Sequence, residues 1–215
     1  MRDILIINGS PRREGTSFMF CKRCQDYVGG EICYLYSDLN NFEWLLDKIE
    51  KAETIIFTGP SYINTYPAHM VYLLEEISRH PEICHGQKVY GIINGGMPYV
   101  HTHESGLRMI RLFCMDNHMQ YQGGFLMGMG PLLNGKPLED HMNAKKLVPA
   151  FQQFLEHINN GEESPDQLYC DVELKVPSLM ARFLAYGMNR RISKNLKKFG
   201  FSYKQPSPYW RNSDH

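Results

Sequence analysis

The sequence has no apolar run approaching the roughly 20 residues that a membrane-spanning helix requires. Its first residues, MRDILIING, reach a polar loop after one short apolar run, which does not read as a signal peptide. Cysteines are few and scattered: six in 215 residues, at 21, 24, 33, 84, 114 and 170. With no export signal, they are expected to be reduced thiols in a cytoplasmic protein. Net charge is also missing, with 23 Lys+Arg against 23 Asp+Glu, so the average charge points to no nucleic-acid or membrane partner. The loop after the first apolar run matches neither G-x-x-x-x-G-K-[ST] nor G-x-G-x-x-G, which weighs against a P-loop NTPase or a Rossmann dinucleotide site.

What is present is an alternation. Strand-like runs fall at 3–8 (DILIIN), 31–37 (EICYLYS), 54–59 (TIIFTG), 88–94 (KVYGIIN) and 119–128 (MQYQGGFLMG). Between them lie helical spacings: 16–27, 42–52 with Trp44, Leu45, Ile49 and Ala52 inward, 67–79 with Met70, Leu73, Leu74 and Ile77 on one face, and 104–116 with Leu107, Ile110 and Cys114. A fifth helix is expected at about 141–159. The pattern predicts an α/β fold: a doubly wound, five-stranded parallel sheet, most simply ordered 2-1-3-4-5. Ligands in such sheets sit at the C-terminal strand ends, where the winding reverses. That brings together the loops after strands one, three and four.

The first loop, INGSPRREGTSF (7–18), combines turn glycines, hydroxyls at Ser10, Thr16 and Ser17, the charge of Arg12, and a helix start. Helix N-terminal amides and a guanidinium suit an anion, so the loop reads as a phosphate cup. The same residues also suit an ordinary helix start capped by Thr16 or Ser17. The second loop, GPSYINTYP (59–67), offers aromatic faces and amides to a planar ligand, or is a surface loop with half-buried tyrosines. The third, NGGMPYVHTHES (94–105), has two glycines where backbone can closely approach a ring, followed by Met97, Tyr99, His101 and His103.

On these residues the chain resembles the flavodoxin-like NAD(P)H-dependent FMN reductases, a family that includes quinone and azo-dye reductases and iron–sulfur flavoproteins. The matching motifs are GSPRREGTS after strand one, GPSYINTYPAHMVYLLEEISR after strand three and NGG after strand four, covering about 3–130. The resemblance implies FMN as cofactor, NADH or NADPH as electron donor, and a homodimer whose partner roofs the flavin. It implies that Ser10, Arg12, Thr16 and Ser17 hold the phosphate. Pro60, Ser61, Tyr62, Ile63 and Asn64 would border the isoalloxazine, and Asn94, Gly95 and Gly96 would close its other edge. Met97, Tyr99 and His101 are then expected in the pocket for a small-molecule acceptor such as a quinone, flavin, azo or nitro compound. The flavin carries the chemistry, by ping-pong hydride transfer, so no catalytic side chain is assigned and no metal is expected. The alternative is a flavodoxin-type electron-transfer protein without substrate turnover of its own.

Three further signals have quieter readings. Cys21 and Cys24 are spaced C-x-x-C inside a predicted helix, without the longer cysteine cluster of iron–sulfur flavoproteins, and read as buried structural thiols. His101-x-His103 lacks a convincing third ligand and reads as pocket lining or a helix cap. The run GMGPLLNG (128–135) reads as a mobile loop that reaches a flavin, in its own subunit or the partner's.

The expected domains are 1–160, the FMN-binding unit, and 161–215, a linker and a basic amphipathic C-terminal helical extension. From Pro177 onward there are 8 basic residues and 1 acidic, against 15 basic and 22 acidic before it. Apolar residues at Met180, Leu184, Met188, Ile192 and Leu196 repeat every fourth position. The expected role is docking on the acidic remainder or on a dimer mate. Attachment to an anionic membrane surface is the alternative.

Overall fold

A computed structural model describes residues 3–38 and 41–202; Lys204, Arg211 and Asp214 of the basic tail lie outside the described residues. The chain divides into two units, Met1–Leu174 and Lys175–His215.

The first unit is a five-stranded sheet flanked by helices. Its strands are β1 (Ile4–Asn8), β2 (Glu31–Tyr34), β3 (Thr54–Pro60), β4 (Lys88–Asn94) and β5 (Gln120–Met127). They are all parallel and ordered β2-β1-β3-β4-β5, as the alternation predicts. The α-helices of the unit are α1 (Thr16–Val28), α2 (Leu35–Asp38), α3 (Phe42–Lys51), α4 (Ala68–Arg79), α5 (Glu104–Asp116), α6 (Gly130–Leu133), α7 (Ala144–Asn160) and α8 (Gln167–Cys170). β1 is buried along its whole length, and β3 and β4 are buried at all but one end residue each, which is why those runs are apolar without alternating.

Successive β5 residues point to opposite faces. A Cβ at Gly124 would meet Leu107 of α5 at 2.7 Å. Its neighbour Phe125 packs against Phe151 and Phe154 of α7 and Phe20 of α1, with ring centroids 5.0, 5.6 and 6.3 Å away. Helix α4 buries Met70, Leu73, Leu74 and Ile77, the face its spacing predicts. Tyr66, also buried, donates its hydroxyl to carbonyls of two adjacent strands, Phe57 and Ile92, at 3.2 and 3.0 Å.

Two expectations are corrected. The run 31–37 is strand only to Tyr34; there Asp38 Oδ2 accepts the Tyr34 amide at 2.8 Å and the chain turns into α2. The unit also does not end near 160. Residues 161–174 return along the sheet: Lys88 Nζ donates to Gly161 O (2.6 Å), Tyr90 Oη to Glu162 O (2.8 Å) and the Ser164 amide to Gln122 O (2.8 Å). Gly123, with φ +99, permits this approach, since a Cβ there would lie 2.2 Å from Ser164 O. The stretch expected to be a linker is therefore part of the first unit.

The second unit contains one long helix, α9 (Ser178–Lys198), as the tail spacing predicts. It has no acidic residue, six basic ones (Arg182, Arg190, Arg191, Lys194, Lys197, Lys198) and no buried residue. Among the described residues no helix is long and apolar enough to cross a membrane.

Candidate functional site

The three loops predicted to meet are joined at the C-terminal end of the sheet. The Gly9 amide donates to Thr58 O and the Ser61 amide to Asn94 O, both at 2.7 Å. Asn94 Nδ2 donates to Ser17 Oγ (2.8 Å) and to Gly59 O (3.1 Å). Asn94 is buried, and its amide nitrogen ties β4 to the start of α1 and the end of β3. Its role here is to brace the site.

The first loop is built from serial local bonds. Asn8 Oδ1 accepts the Ser10 amide (3.0 Å), and Ser10 Oγ accepts the Arg12 amide (3.2 Å), so the Ser10 hydroxyl proton remains available. Helix α1 begins with Gly15 as N-cap and has no side-chain cap; neither Thr16 nor Ser17 occupies the cap position. The amides of Thr16, Ser17 and Phe18 have no intrahelical acceptor, because the first helical bond is from Met19 to Gly15. Arg12 lies over this start: a Cβ on Gly15 would have Arg12 Cβ, Nε and Cζ as its nearest neighbours, at 3.9, 3.9 and 4.0 Å. Thr16 is already committed, its hydroxyl donating to Gly130 O at 2.7 Å, and is buried along with Ser17.

The second loop turns sharply. Tyr62 and Thr65 exchange backbone bonds (2.7 and 3.3 Å), and the turn residues Ile63 and Asn64 are both left-handed, φ 50 and 69. A β-branched residue in that region carries strain of order 1–3 kcal/mol. Ile63 is nonetheless 97% exposed, and Tyr62 and Asn64 beside it are exposed too. Pro60 and Ser61 lead into this turn half-buried.

In the third loop Gly95 makes room for a side chain of the chain itself. At Gly95 the space a Cβ would take is filled by the His103 imidazole, with Cε1 1.9 Å from that position. The Gly95 amide donates to Met127 O at 2.9 Å, which leaves Gly96, exposed, at the loop edge. His103 is buried and bonded at both nitrogens, to Ser61 Oγ (2.9 Å) and Met97 O (3.1 Å). A neutral ring that donates from Nε2 to the carbonyl and accepts the Ser61 hydroxyl at Nδ1 satisfies both. His101 is exposed and stacks on Tyr99, with centroids 5.7 Å apart and planes at 17°. Met97, two residues before Tyr99, is exposed as well. Both His103 nitrogens are therefore spent within the chain, whereas His101 stays at the surface.

The loop after β5 is folded onto its own chain. The Met129 amide donates to Met97 O and the Gly130 amide to Gly95 O, while Gly135 packs on Gly15. Sequence reasoning left Asn134 without a role, while His103, read as pocket lining or a helix cap, takes the N-cap position of α5 with its ring bonded to Ser61 and Met97 instead of capping. The Asn134-Gly135 pair is a turn signal, but nothing in the sequence says where the turn lands.

No protein-family profile and no curated protein matches the chain. Solved structures do. An NADH:FMN oxidoreductase in its apo form aligns with a TM-score of 0.59 and 16% identity, covering 79% of this chain and 94% of that one. The Trp repressor binding protein of Bacillus subtilis aligns at 0.56 and 15%, covering 76% and 100%. General stress protein 14 of Treponema denticola, in complex with FMN, aligns at 0.55 and 13%, covering 73% and 99%. Identity this low speaks for the fold. The fold is flavodoxin-like.

In this flavodoxin-like chain the C-x-x-C pair is a pair of buried thiols in α1. Cys21 and Cys24 are fully buried in α1, and all six cysteines are free. Burial pushes the Cys21 thiol up to about 12 and Cys24 well above its ordinary value, the opposite of a reactive thiolate.

Burial also lowers the pKa of His103, and of His141, whose Nε2 bonds Gly128 O at 3.2 Å. As pH falls below about 6.5 the unfolded chain takes up these protons first, so stability is lost on the acid side. Each histidine contributes a slope of at most about 1.4 kcal/mol per pH unit between its unfolded and folded values. Urea unfolding at pH 7.5 and 5.5 should show the loss, and His103→Gln should show a smaller one. An equal loss in the variant would remove His103 from this account.

Proposed function

We propose that the chain is an FMN-dependent NAD(P)H oxidoreductase, passing electrons from NADH or NADPH to a small acceptor (a quinone, flavin, azo or nitro compound) by ping-pong hydride transfer. The observation that carries this reading is the uncapped start of α1 with Arg12 laid over it and the free Ser10 hydroxyl beside it. Asn8 Nδ2, at the end of β1 behind this loop, is buried without a partner, an orphaned donor of the kind a phosphate oxygen satisfies. Likeness of fold to a protein in complex with FMN and to an NADH:FMN oxidoreductase supports the same reading.

In this reading FMN, when bound, supplies the hydride chemistry. Arg12, Ser10 and the α1 amides bind its phosphate. Ser17 and Thr16 shape the cup from beneath, through Asn94 and Gly130. The Tyr62–Thr65 turn would present the exposed Ile63 and Asn64 to the ring, with Pro60 and Ser61 at its border and Gly96, backed by Gly95, toward the opposite edge. Met97, Tyr99 and His101 line the place of the acceptor. Amides near Ile63–Asn64 and Gly96 would donate toward the ring's polar edge and so favour its taking up electrons.

A homodimer belongs to the proposal. An open groove of about 600 Å³ between α4 and α5 is lined by Val71, Leu74, Met109 and Leu112 with Glu75 and Arg108, apolar at its floor and charged with both signs. It borders the second loop through Ser105, whose hydroxyl bonds Asn64 O. Free thiols throughout fit a cytoplasmic location. The all-basic α9 is assigned to a second copy's acidic unit. Ending the chain before Pro177 should leave FMN affinity within about twofold, since every residue assigned to FMN lies in the first unit, and should lower dimer affinity. A truncated protein with unchanged sedimentation would refute that assignment.

The deciding experiment is anaerobic addition of NADH or NADPH to the FMN-loaded protein. Bleaching of flavin absorbance, restored by a quinone, is expected of the reductase. A flavin that neither nucleotide reduces would make the chain an electron carrier.

A further inference from the structure

The geometry points to Asn134, in the loop after β5, as a positioning residue that presets Arg12 for a phosphate dianion, and thereby makes the site select FMN over riboflavin. The inference rests on the FMN reading above and deepens it. Three separate contacts lay this loop across the start of α1. The buried Thr16 hydroxyl donates to Gly130 O at 2.7 Å. Gly135, at φ +86, sits so close that a Cβ would lie 3.3 Å from Gly15 N and Cα. Arg12 Nη2 donates to Asn134 Oδ1. Farther along α1, Arg23 pairs with Glu139 and secures the next part of the same segment.

Arg12 belongs to an exposed loop and has a long, freely rotating side chain, so its place beside Gly15 needs a holder. Asn134 suits that task chemically. It is left-handed, φ 49, a conformation asparagine tolerates better than most residues. Its amide oxygen takes one of the five guanidinium N–H groups and leaves the rest free. Being neutral, it orients the cation without cancelling its charge. An aspartate in its place would also hold Arg12 but would set a carboxylate beside the incoming dianion.

The test compares Kd for FMN and for riboflavin, by flavin fluorescence, in the full-length protein and four variants: Asn134→Gly, Asn134→Asp, Arg12→Ala, and Asn134→Gly with Arg12→Ala. Glycine accepts the left-handed backbone, so the loop keeps its course. Asn134→Gly should weaken FMN about five- to tenfold and riboflavin by less than about twofold. In the Arg12→Ala background the same change should move FMN by less than about twofold, because the group it positions is gone. Asn134→Asp should weaken FMN at least as much as Asn134→Gly and spare riboflavin. Equal weakening of both flavins would make Asn134 a scaffold residue and overturn the inference. So would an undiminished effect in the Arg12→Ala background, or no effect while Arg12→Ala still weakens FMN. A wild-type protein that binds FMN no tighter than riboflavin, with Arg12→Ala silent, would instead bring down the phosphate-cup reading and this inference with it.

Discussion

Replacing Arg12 and Ser10 together by alanine is expected to weaken FMN binding by at least about ten- to a hundredfold, the equivalent of one charge-assisted contact of about 1.5–3 kcal/mol. Arg12 lies over the uncapped start of α1, where the partial positive charge of the helix already favours an anion. Ser10 has its oxygen occupied by the Arg12 amide but keeps its proton to donate. Neither side chain is buried, so the fold should hold, and the melting temperature of the flavin-free protein should stay within a few degrees. The residual affinity should also lose much of its salt dependence, since the guanidinium is the screened partner. Fluorescence titration at two ionic strengths checks both points. Unchanged FMN affinity in the double variant would place the phosphate elsewhere.

The second large effect is on stability. Gly95→Ala should destabilise the protein by about 2–4 kcal/mol, lowering its melting temperature by roughly 4–16 °C for a chain of this size. The added methyl would stand 1.9 Å from His103 Cε1 and 2.2 Å from Nε2. The ring cannot swing aside cheaply, because Ser61 and Met97 hold its two nitrogens and moving it would orphan buried polar groups. The collision is specific, which permits a control. In a His103→Ala background the same Gly95→Ala change should cost less by more than about 1 kcal/mol, a coupling expected only of residues in contact. A Gly95→Ala protein that melts like the wild type would show that the imidazole does not occupy this place.

How much could be read before the fold was known differs from place to place. The five strands and their 2-1-3-4-5 order follow from continuous apolar runs alternating with helical spacing, because a parallel strand covered on both faces must be apolar throughout. The inward faces of α4 and α5 follow from the 3.6-residue period. The first loop could be read as a candidate anion site because the relevant chemistry, hydroxyls, a guanidinium and backbone amides, is contiguous in the chain.

Contacts between distant segments were not legible. Asn94 was expected at a ligand's edge, yet its amide nitrogen is spent on Ser17 and Gly59. Thr16 was expected to hold phosphate, yet its hydroxyl goes to Gly130, 114 residues away. The strand after Tyr34 ends early because one carboxylate, Asp38, outweighs the β propensity of LYS. The return of 161–174 along the sheet depends on Gly123 sitting opposite Ser164, which polar composition alone presents as a linker.

The sequence by itself determined the alternation of elements, the strand order, the inward faces of α4 and α5 and the residue types in the three loops. All of these are set by local periodicity and by chemistry carried within a few residues. Tertiary structure decided which of those groups remain free. A buried polar atom must find a partner wherever the fold brings one. Such partners come from strands and loops tens of residues away, so Thr16 and Asn94 were drawn into contacts within the fold, while Ser10 kept its hydroxyl proton and Arg12 most of its N–H groups.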